Sequence, residues 1–416
     1  MMRIAVIGSG IAGMAAAYYL SRKHEVFVFE KEPRVGGHTH TVTVESSRGP
    51  LAVDTGFIVH NDRTYPNLVK LLAELGVETQ PSDMSFAVTC RTTGFEYSSR
   101  GLNGFFAQRA NLVRLDQYRL LREILRFNRE APRLLQNPAA ATMTLGDFID
   151  QGRYTTLFAE RYLYPTASAV WSMSMEAIRA FPALTLVRFF ENHRLLGINT
   201  HPQWKVIRGG SNSYIPPITA PYKDRICTDA TINSVARTEA GVTLRFEDRP
   251  GMFFDQAVFA CHGDQILPLL ESPTDAERDI LGRFTTSSNE VCLHTDSSWL
   301  PKRPRARASW NYNLSPDPGA GATVTYHMNR LQSLDVPEDY CVTLNAGSGI
   351  DPAKVLRRIV YHHPLYASGA IQAQTRWSEI SGINRTHFCG AYWLYGFHED
   401  GLNSALRVAR ALGVEC

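Results

Sequence analysis

With 416 residues, 44% of them hydrophobic and 20% charged, the chain outgrows one ordinary core and predicts a globular protein of two interleaved domains. A net charge of +3 is too small for this size to demand nucleic acid or an anionic membrane. Seven cysteines, odd in number and never spaced as CxxC, argue against a disulfide framework or a zinc site.

The first predicted element is a buried parallel strand, residues 3–7, which begins so close to the first Met that no signal peptide is expected. No apolar run approaches the ~18 residues of a membrane span, and a cytoplasmic location is expected. The strand runs straight into Gly8-Ser9-Gly10-Ile11-Ala12-Gly13, followed by Ala and Leu at helical spacing from Met14 to Leu20. In such a turn Gly8 permits the tight bend, Gly10 lets a pyrophosphate approach the backbone, and Gly13 lets helix and strand pack closely. The helix N-terminus then offers free N–H groups and the positive end of its dipole to phosphate. A second strand, residues 25–29, ends in Glu30, an acid placed to accept hydrogen bonds from adenosine ribose hydroxyls. The Gly36-Gly37 pair, six residues beyond Glu30, brings a second stretch of backbone onto the cofactor and separates FAD from NAD as the dinucleotide.

Further along, residues 105–135 and 175–197 carry helical periodicity. The first of these alternates Leu112, Leu115, Leu121, Ile124 and Leu125 with Arg109, Arg114, Arg119, Arg122, Arg126, Arg129 and Arg133. It reads as a domain helix with a solvated face, or as a basic amphipathic helix able to lie on anionic lipid. Residues 231–237, 286–295, 322–329 and 339–345 read as strands. Gly347-Ser348-Gly349 follows a strand-like run, but Pro352 removes a donor and spoils a second nucleotide cradle. His362 and His363 look metal-like, yet adjacent strand residues point to opposite faces and are expected to be structural. Residues 386–391 predict a strand ending in a glycine turn, and Asp400-Gly401-Leu402 opens a last helix.

These segments together resemble the flavin-containing amine oxidase/phytoene desaturase superfamily, and more closely a bacterial subgroup of NAD/FAD-binding amine-oxidase-like proteins. The resemblance is carried by the residues from Gly8 to Phe57, by Gly209-Gly210-Ser211, by Ser309-Trp310-Asn311-Tyr312 and by Gly396-Phe397-His398-Glu399-Asp400-Gly401-Leu402. It implies an α/β fold: a discontinuous Rossmann-type FAD-binding domain (residues 1–80, 205–265 and 375–416) with an α+β substrate domain. The substrate domain would comprise a mainly helical part, 81–204, and a sheet, 266–374. The cofactor contacts it implies are Gly8, Ser9, Gly10, Ile11, Ala12, Gly13, Glu30, Lys31, Gly36, Gly37, His38, Thr39, Val235, Gly390, His398, Glu399, Asp400 and Leu402. In that scheme Val235 clamps adenine through its backbone, and the last helix aims its N-terminus at the flavin, where reduction places negative charge.

His60 and Asn61 lie on the segment that resembles the one beside the isoalloxazine, and Phe397 falls where amine oxidases place one wall of an aromatic cage. These three are the candidate reactive-site residues, with Trp393 and Tyr395 near Phe397 in sequence. Of the pairs in Trp310-Asn311-Tyr312 and Tyr326-His327, alternation would turn one residue toward the pocket. Two departures from the family pattern stand out. No lysine lies between 224 and 301, where many members keep one beside the flavin, and the corresponding position falls near Asn289. The basic residue after the Gly-Gly pair is His38, a weak phosphate partner unless protonated. No cysteine suits covalent attachment, since Cys389 lies inside a predicted strand, so FAD is expected to be held non-covalently. The expectation is an FAD-dependent oxidoreductase acting on a hydrophobic or lipid substrate, plausibly a modified fatty-acyl chain, with no nucleic-acid partner and peripheral membrane contact possible. Amine oxidation and a redox-neutral flavin protein are the alternatives.

Overall fold

Alternation along one short strand sets the layering of the nucleotide-binding half. In Arg3–Ile7 (β1), Ile4 and Val6 enter one apolar core and Ala5 and Ile7 the other. A strand buried on both faces needs side chains that fit each, which is why β1 reads as a continuous apolar run. The computed structural model describes residues 1–137, 140, 142–197, 202–315, 317 and 319–416. Among them β1 pairs in parallel with Glu25–Phe29 (β2), and a five-stranded parallel sheet forms in the order β3-β2-β1-β4-β5, where β3 is Ile226–Cys227, β4 Gln256–Phe259 and β5 Thr386–Phe388. This is a Rossmann-type α/β layer assembled from three distant stretches of chain.

One face is covered by Ile11–Leu20 (α1) and Pro66–Glu74 (α2), with the C-terminal helix His398–Ala411 beside α1. Nine of the ten residues of α1 are buried, so it is apolar all round, as expected of a helix wrapped by others. The other face is covered by the antiparallel strands Ile232–Arg237, Val242–Phe246 and Met252–Phe254.

The second half is built on a seven-stranded sheet that runs Val355–Leu365, Thr285–His294, Cys341–Leu344, Val324–His327, Trp310–Asn313, Phe86–Cys90, Phe95–Ser98. Only the Trp310–Asn313 and Phe86–Cys90 neighbours are parallel; the rest are antiparallel. Beside it, Leu115–Glu130 (α3) and Ala183–Asn192 (α4) enclose an aromatic core that includes Phe105, Phe127, Phe158, Trp171, Phe189 and Phe190. No described helix is long and apolar enough to cross a membrane.

Two boundaries differ from the sequence reading. The strand expected over 386–391 stops at Phe388, because Gly390 turns at φ +155° where a Cβ would sit 2.3 Å from the Tyr392 ring. The last helix starts at His398 rather than Asp400, since Phe397 is its N-cap residue.

A buried ion pair ties the small antiparallel sheet to the helix Asp275–Leu281. Arg237 and Glu277 have side chains 6% and 1% exposed, and the second Arg237 nitrogen meets Glu277 Oε2 at 2.9 Å. Glu277 also accepts the Thr274 amide. Removing one partner strands a buried charge, so Glu277→Ala should cost about 3–5 kcal/mol of stability. The double variant Arg237→Met/Glu277→Leu should recover most of it, as read from denaturant midpoints.

Candidate functional site: a nucleotide cradle beside an aromatic wall

The glycine turn between β1 and α1 shows three different spatial demands. A Cβ on Gly8, which sits at φ +102°, would lie 2.9 Å from the Ala260 backbone, and one on Gly13 would lie 1.9 Å from the Gly8 carbonyl oxygen. Gly10, by contrast, has nothing within 4 Å of that position. The first and third glycines are therefore needed to close the fold, and the second leaves room for something the chain does not supply. The first-turn amides of α1, those of Ile11 and Ala12 among them, have no intrahelical acceptors.

Gly36 and Gly37 both adopt positive φ, and a Cβ on Gly37 would stand 3.0 Å from the Gly10 Cα. The Gly36 amide donates to the Ser9 carbonyl at 3.0 Å, so the second glycine turn lies directly against the first. Glu30, buried at the end of β2, accepts from the Ser9 amide (2.9 Å), the Ser9 hydroxyl (2.6 Å) and the Glu32 amide (3.0 Å). A carboxylate has about four acceptor positions, which leaves Glu30 able to take one ribose hydroxyl. Lys31 is exposed and faces Glu32.

The C-terminal helix delivers a second N-terminus to the same place. A Cβ on Gly401 would be 2.8 Å from Ile11 Cγ2 and 3.8 Å from the Ala12 nitrogen, while Leu402 is fully buried against α1. Asp400 caps this helix, accepting the amides of Phe397 (2.9 Å) and Tyr395 (3.2 Å), and burial pushes its carboxyl up to about 7. Glu399 has a different task from the expected cofactor contact. Its oxygens accept the Asn67 and Leu68 amides at 3.1 and 2.9 Å, capping α2. The Gly390 amide is held by the Ser404 hydroxyl at 2.8 Å.

His398 stacks on Phe57 at 3.6 Å, and its Nε2 lies 3.0 Å from the Thr39 hydroxyl and 3.3 Å from that of Tyr214. Burial lowers His398 to about 3, so it is neutral. His60 shares this environment. Its ring is 6.5 Å from Phe57, it is almost fully buried, and both ring nitrogens lack a partner among the described residues. Burial holds it near 4. Asn61 does not join it: its oxygen accepts the Arg63 and Thr64 amides and its amide donates to the Thr64 hydroxyl, which makes it the anchor of a turn.

Phe397 stacks on Phe189 at 5.1 Å and lies 5.9 Å from His193, whose ring is parallel to Trp204 at 6.2 Å. Trp204, His193, Phe189 and Phe397 form a wall of uncharged rings, since burial holds His193 near 4 as well, and Phe57, His60 and His398 form a second cluster of rings. Trp393 is elsewhere, packed on Phe284 at 4.9 Å. Trp310 and Tyr326 pack on one another at 4.8 Å, and His327 pairs with Asp339 at 2.9 Å.

Val235 is fully buried, paired with Leu244 across the sheet, and its carbonyl accepts the Glu271 amide at 3.2 Å. The stretch adjoining Glu30 is instead the entry to that strand, where the Ala230 amide donates to the Glu30 carbonyl at 2.9 Å.

The comparisons agree with this geometry. The profile of the flavin containing amine oxidoreductases matches residues 11–342. The chain belongs to this family. A Mycobacterium tuberculosis protein, AofH, provisionally named a flavin-containing monoamine oxidase, is 27% identical over 249 residues, 58% of this chain and 53% of its own length. The chain thus spans about half the length of the curated relatives it matches first. Wild-type putrescine oxidase bound to putrescine superposes with a TM-score of 0.69 at 14% identity, covering 99% of this chain and 98% of the other. A CLA-producing fatty acid isomerase from P. acnes superposes with a TM-score of 0.68 at 16% identity, covering 98% of each chain.

For a member of the flavin containing amine oxidoreductase family, the cofactor is FAD, and the cradle fits it. The open space at Gly10, two convergent helix N-termini and the residual acceptor on Glu30 match a pyrophosphate and a ribose. The basic group at the Gly-Gly turn is Arg34, which donates to the Gly37 carbonyl at 2.8 Å. His38 is half-buried, is held well below its ordinary pKa by desolvation and then by His363 and His262, and stacks on Tyr361 at 4.9 Å. Asn289, near the position of the missing lysine, donates to His363 Nδ1 at 3.2 Å and accepts from Asn345 at 2.9 Å. Tyr214, Tyr361, His193 and Phe189 carried no motif signal, because they reach the site from elements far from the glycine turns in sequence.

Two predictions follow from the cradle and its cap. Gly10→Ala should leave the melting temperature of FAD-free protein unchanged but weaken FAD binding tenfold or more, whereas Gly13→Ala should lower that melting temperature itself; flavin fluorescence titration and thermal melts separate them. For Asp400, the folded value near 7 lies above the ordinary 3.8, so its stabilising protonated form is present below about pH 4 and lost as pH rises through 7. In FAD-free protein, Asp400→Asn should therefore gain melting temperature relative to wild type at pH 8 compared with pH 5.

Proposed function

We propose that this family member oxidises a hydrophobic substrate, of which a fatty-acyl chain fits best, with FAD held non-covalently. The observation that carries this reading is the wall of neutral rings formed by Phe397, Phe189, His193 and Trp204, next to which the carboxyl groups of Asp400 and Glu399 are already engaged by backbone amides. Such a wall favours apolar chain and offers no unengaged anion for an ammonium group. The fatty acid isomerase shares this fold and acts by name on a fatty acid; putrescine oxidase shares it too and acts by name on an amine. The amine reading is disfavoured by Asn289, an uncharged and fully hydrogen-bonded side chain near the expected lysine position.

FAD, when bound, supplies the two-electron chemistry. The chain's part is to exclude water, orient the acyl chain along Phe397 and Phe189, and manage the proton that leaves with the second C–H bond. His60 offers a neutral, buried ring nitrogen with no intramolecular partner for that proton. Cys389 is buried behind the cradle, against the Ala12 carbonyl.

Anaerobic mixing tests the reading. A long-chain unsaturated fatty acid should bleach the visible flavin absorbance, and His60→Ala should slow that bleaching roughly 100-fold while FAD content stays unchanged. Bleaching by putrescine but not by the fatty acid would overturn it, as would an unbleached flavin with a displaced double bond in the recovered lipid, which signals isomerisation.

A further inference from the structure

The largest unexplained surface feature lies on α3 and the turn before it. Six of the twelve exposed large hydrophobic side chains among the described residues fall between positions 102 and 125: Leu102, Leu112, Val113, Leu115, Tyr118 and Leu125. Val113 and Leu115 are 86% and 81% exposed, far beyond what a solvated helix face requires. On α3 itself the outward positions Leu115, Tyr118, Arg122, Leu125 and Arg129 recur at three- and four-residue spacing, while Gln117, Leu120, Glu123 and Phe127 are buried beneath them. Residues 101–136 hold seven arginines against three acids, an excess of four on a chain whose net charge is +3. Positive charge is thus concentrated here, and the remainder of the molecule is slightly acidic. Arg114, Arg122 and Arg133 have no carboxylate partner among the described residues, and Arg122, Leu125, Arg126 and Arg129 share with Glu123 an open groove.

We propose that this face docks on an anionic lipid bilayer, with Leu112, Val113 and Leu115 inserted at the headgroup boundary and the arginines on lipid phosphates. Exposed aliphatic side chains ringed by unpaired guanidinium groups match an interface that is apolar below and anionic above. Nucleic acid would match the charge but not the aliphatic tip. A second copy packed across a two-fold axis would bring arginine onto arginine.

Resting on the acyl reading of the site, the docking gives it a direction. From Phe127 on the underside of α3, rings follow one another through Phe190 at 6.3 Å and Phe189 at 6.3 Å to Phe397 at 5.1 Å. The bilayer-facing helix and the aromatic wall share one apolar core, so an acyl chain leaving the membrane at α3 stays in apolar surroundings.

Co-sedimentation of the full-length, FAD-loaded protein with vesicles tests the docking. Vesicles of phosphatidylcholine containing about one third phosphatidylglycerol should pellet the protein, phosphatidylcholine alone should not, and about 0.5 M salt should release it. Arg114→Gln/Arg122→Gln should weaken binding by roughly tenfold or more, given about fivefold per arginine, and Leu112→Ser/Val113→Ser/Leu115→Ser should do likewise. An unchanged flavin spectrum and melting temperature show that both variants fold. Equal binding to both vesicle types, no binding to either, or indifference to the aliphatic substitutions would overturn the proposal. So would a wild-type dimer that the aliphatic variant converts to monomer in sedimentation velocity. Turnover is not read in this experiment, and bleaching by detergent-dispersed fatty acid is read without vesicles, so the docking and the acyl reading can fail independently.

Discussion

Close approach at two glycines, one where β1 turns into α1 and one where the C-terminal helix meets the start of α1, is the constraint on which the molecule depends. A Cβ on Gly13 would lie 1.9 Å from the Gly8 carbonyl oxygen, and one on Gly401 would lie 2.8 Å from Ile11 Cγ2. These contacts let two helices that begin almost 400 residues apart in sequence end at the same point in space. Two positive helix ends side by side repel each other and leave donors unsatisfied unless an anion is present. The chain provides partial answers, Glu30 at one end and Asp400 at the other. Asp400 shows the strain of the arrangement, since its buried carboxyl is held near 7 even with two amides donating to it. A pyrophosphate and a flavin are the groups that complete it.

On the substrate side the electrostatics run the other way. His60, His193 and His398 are all depressed by burial to values between about 3 and 4, which keeps the region uncharged across the physiological range. The carboxylates that approach it are tied down by capping duties, and the acid of Asp54 is enclosed by Thr41, Ser211 and Gln332. Among the described residues, charge beside His60 is limited to Asp62 and Lys205, which pair with each other at 2.7 Å. Such a low-charge region suits the apolar substrate proposed above, because water and stray charge both compete with hydride transfer.

The aromatic core beneath α3 joins this pocket to the surface. Phe127 and Leu120 face inward from the same helix that turns Leu115, Arg122 and Leu125 outward. One amphipathic element with two apolar sides, one packed and one bare, can serve both as part of the substrate domain's core and as its contact with lipid. The arginines between the bare residues keep such a surface soluble until a partner of opposite charge is met.

The sequence by itself was sufficient for the local chemistry of the cradle. Glycines at 8, 10, 13, 36 and 37, an acid at 30 and a terminal helix are all short-range features, and each is dictated by backbone geometry within a few residues. It also supplied the seven arginines and the leucines between them as a periodic pattern. Tertiary structure alone decided which polar groups remained free. Asn61 and Glu399 have suitable residue types at suitable positions, yet a turn and the start of α2 take their hydrogen bonds. His60 is left without a partner among the described residues, and Tyr361 from one strand and Phe189 and His193 from the end of α4 arrive to meet the site. Hydrogen-bond competition and the meeting of remote elements depend on distances between segments far apart in the chain, and no local pattern encodes those distances.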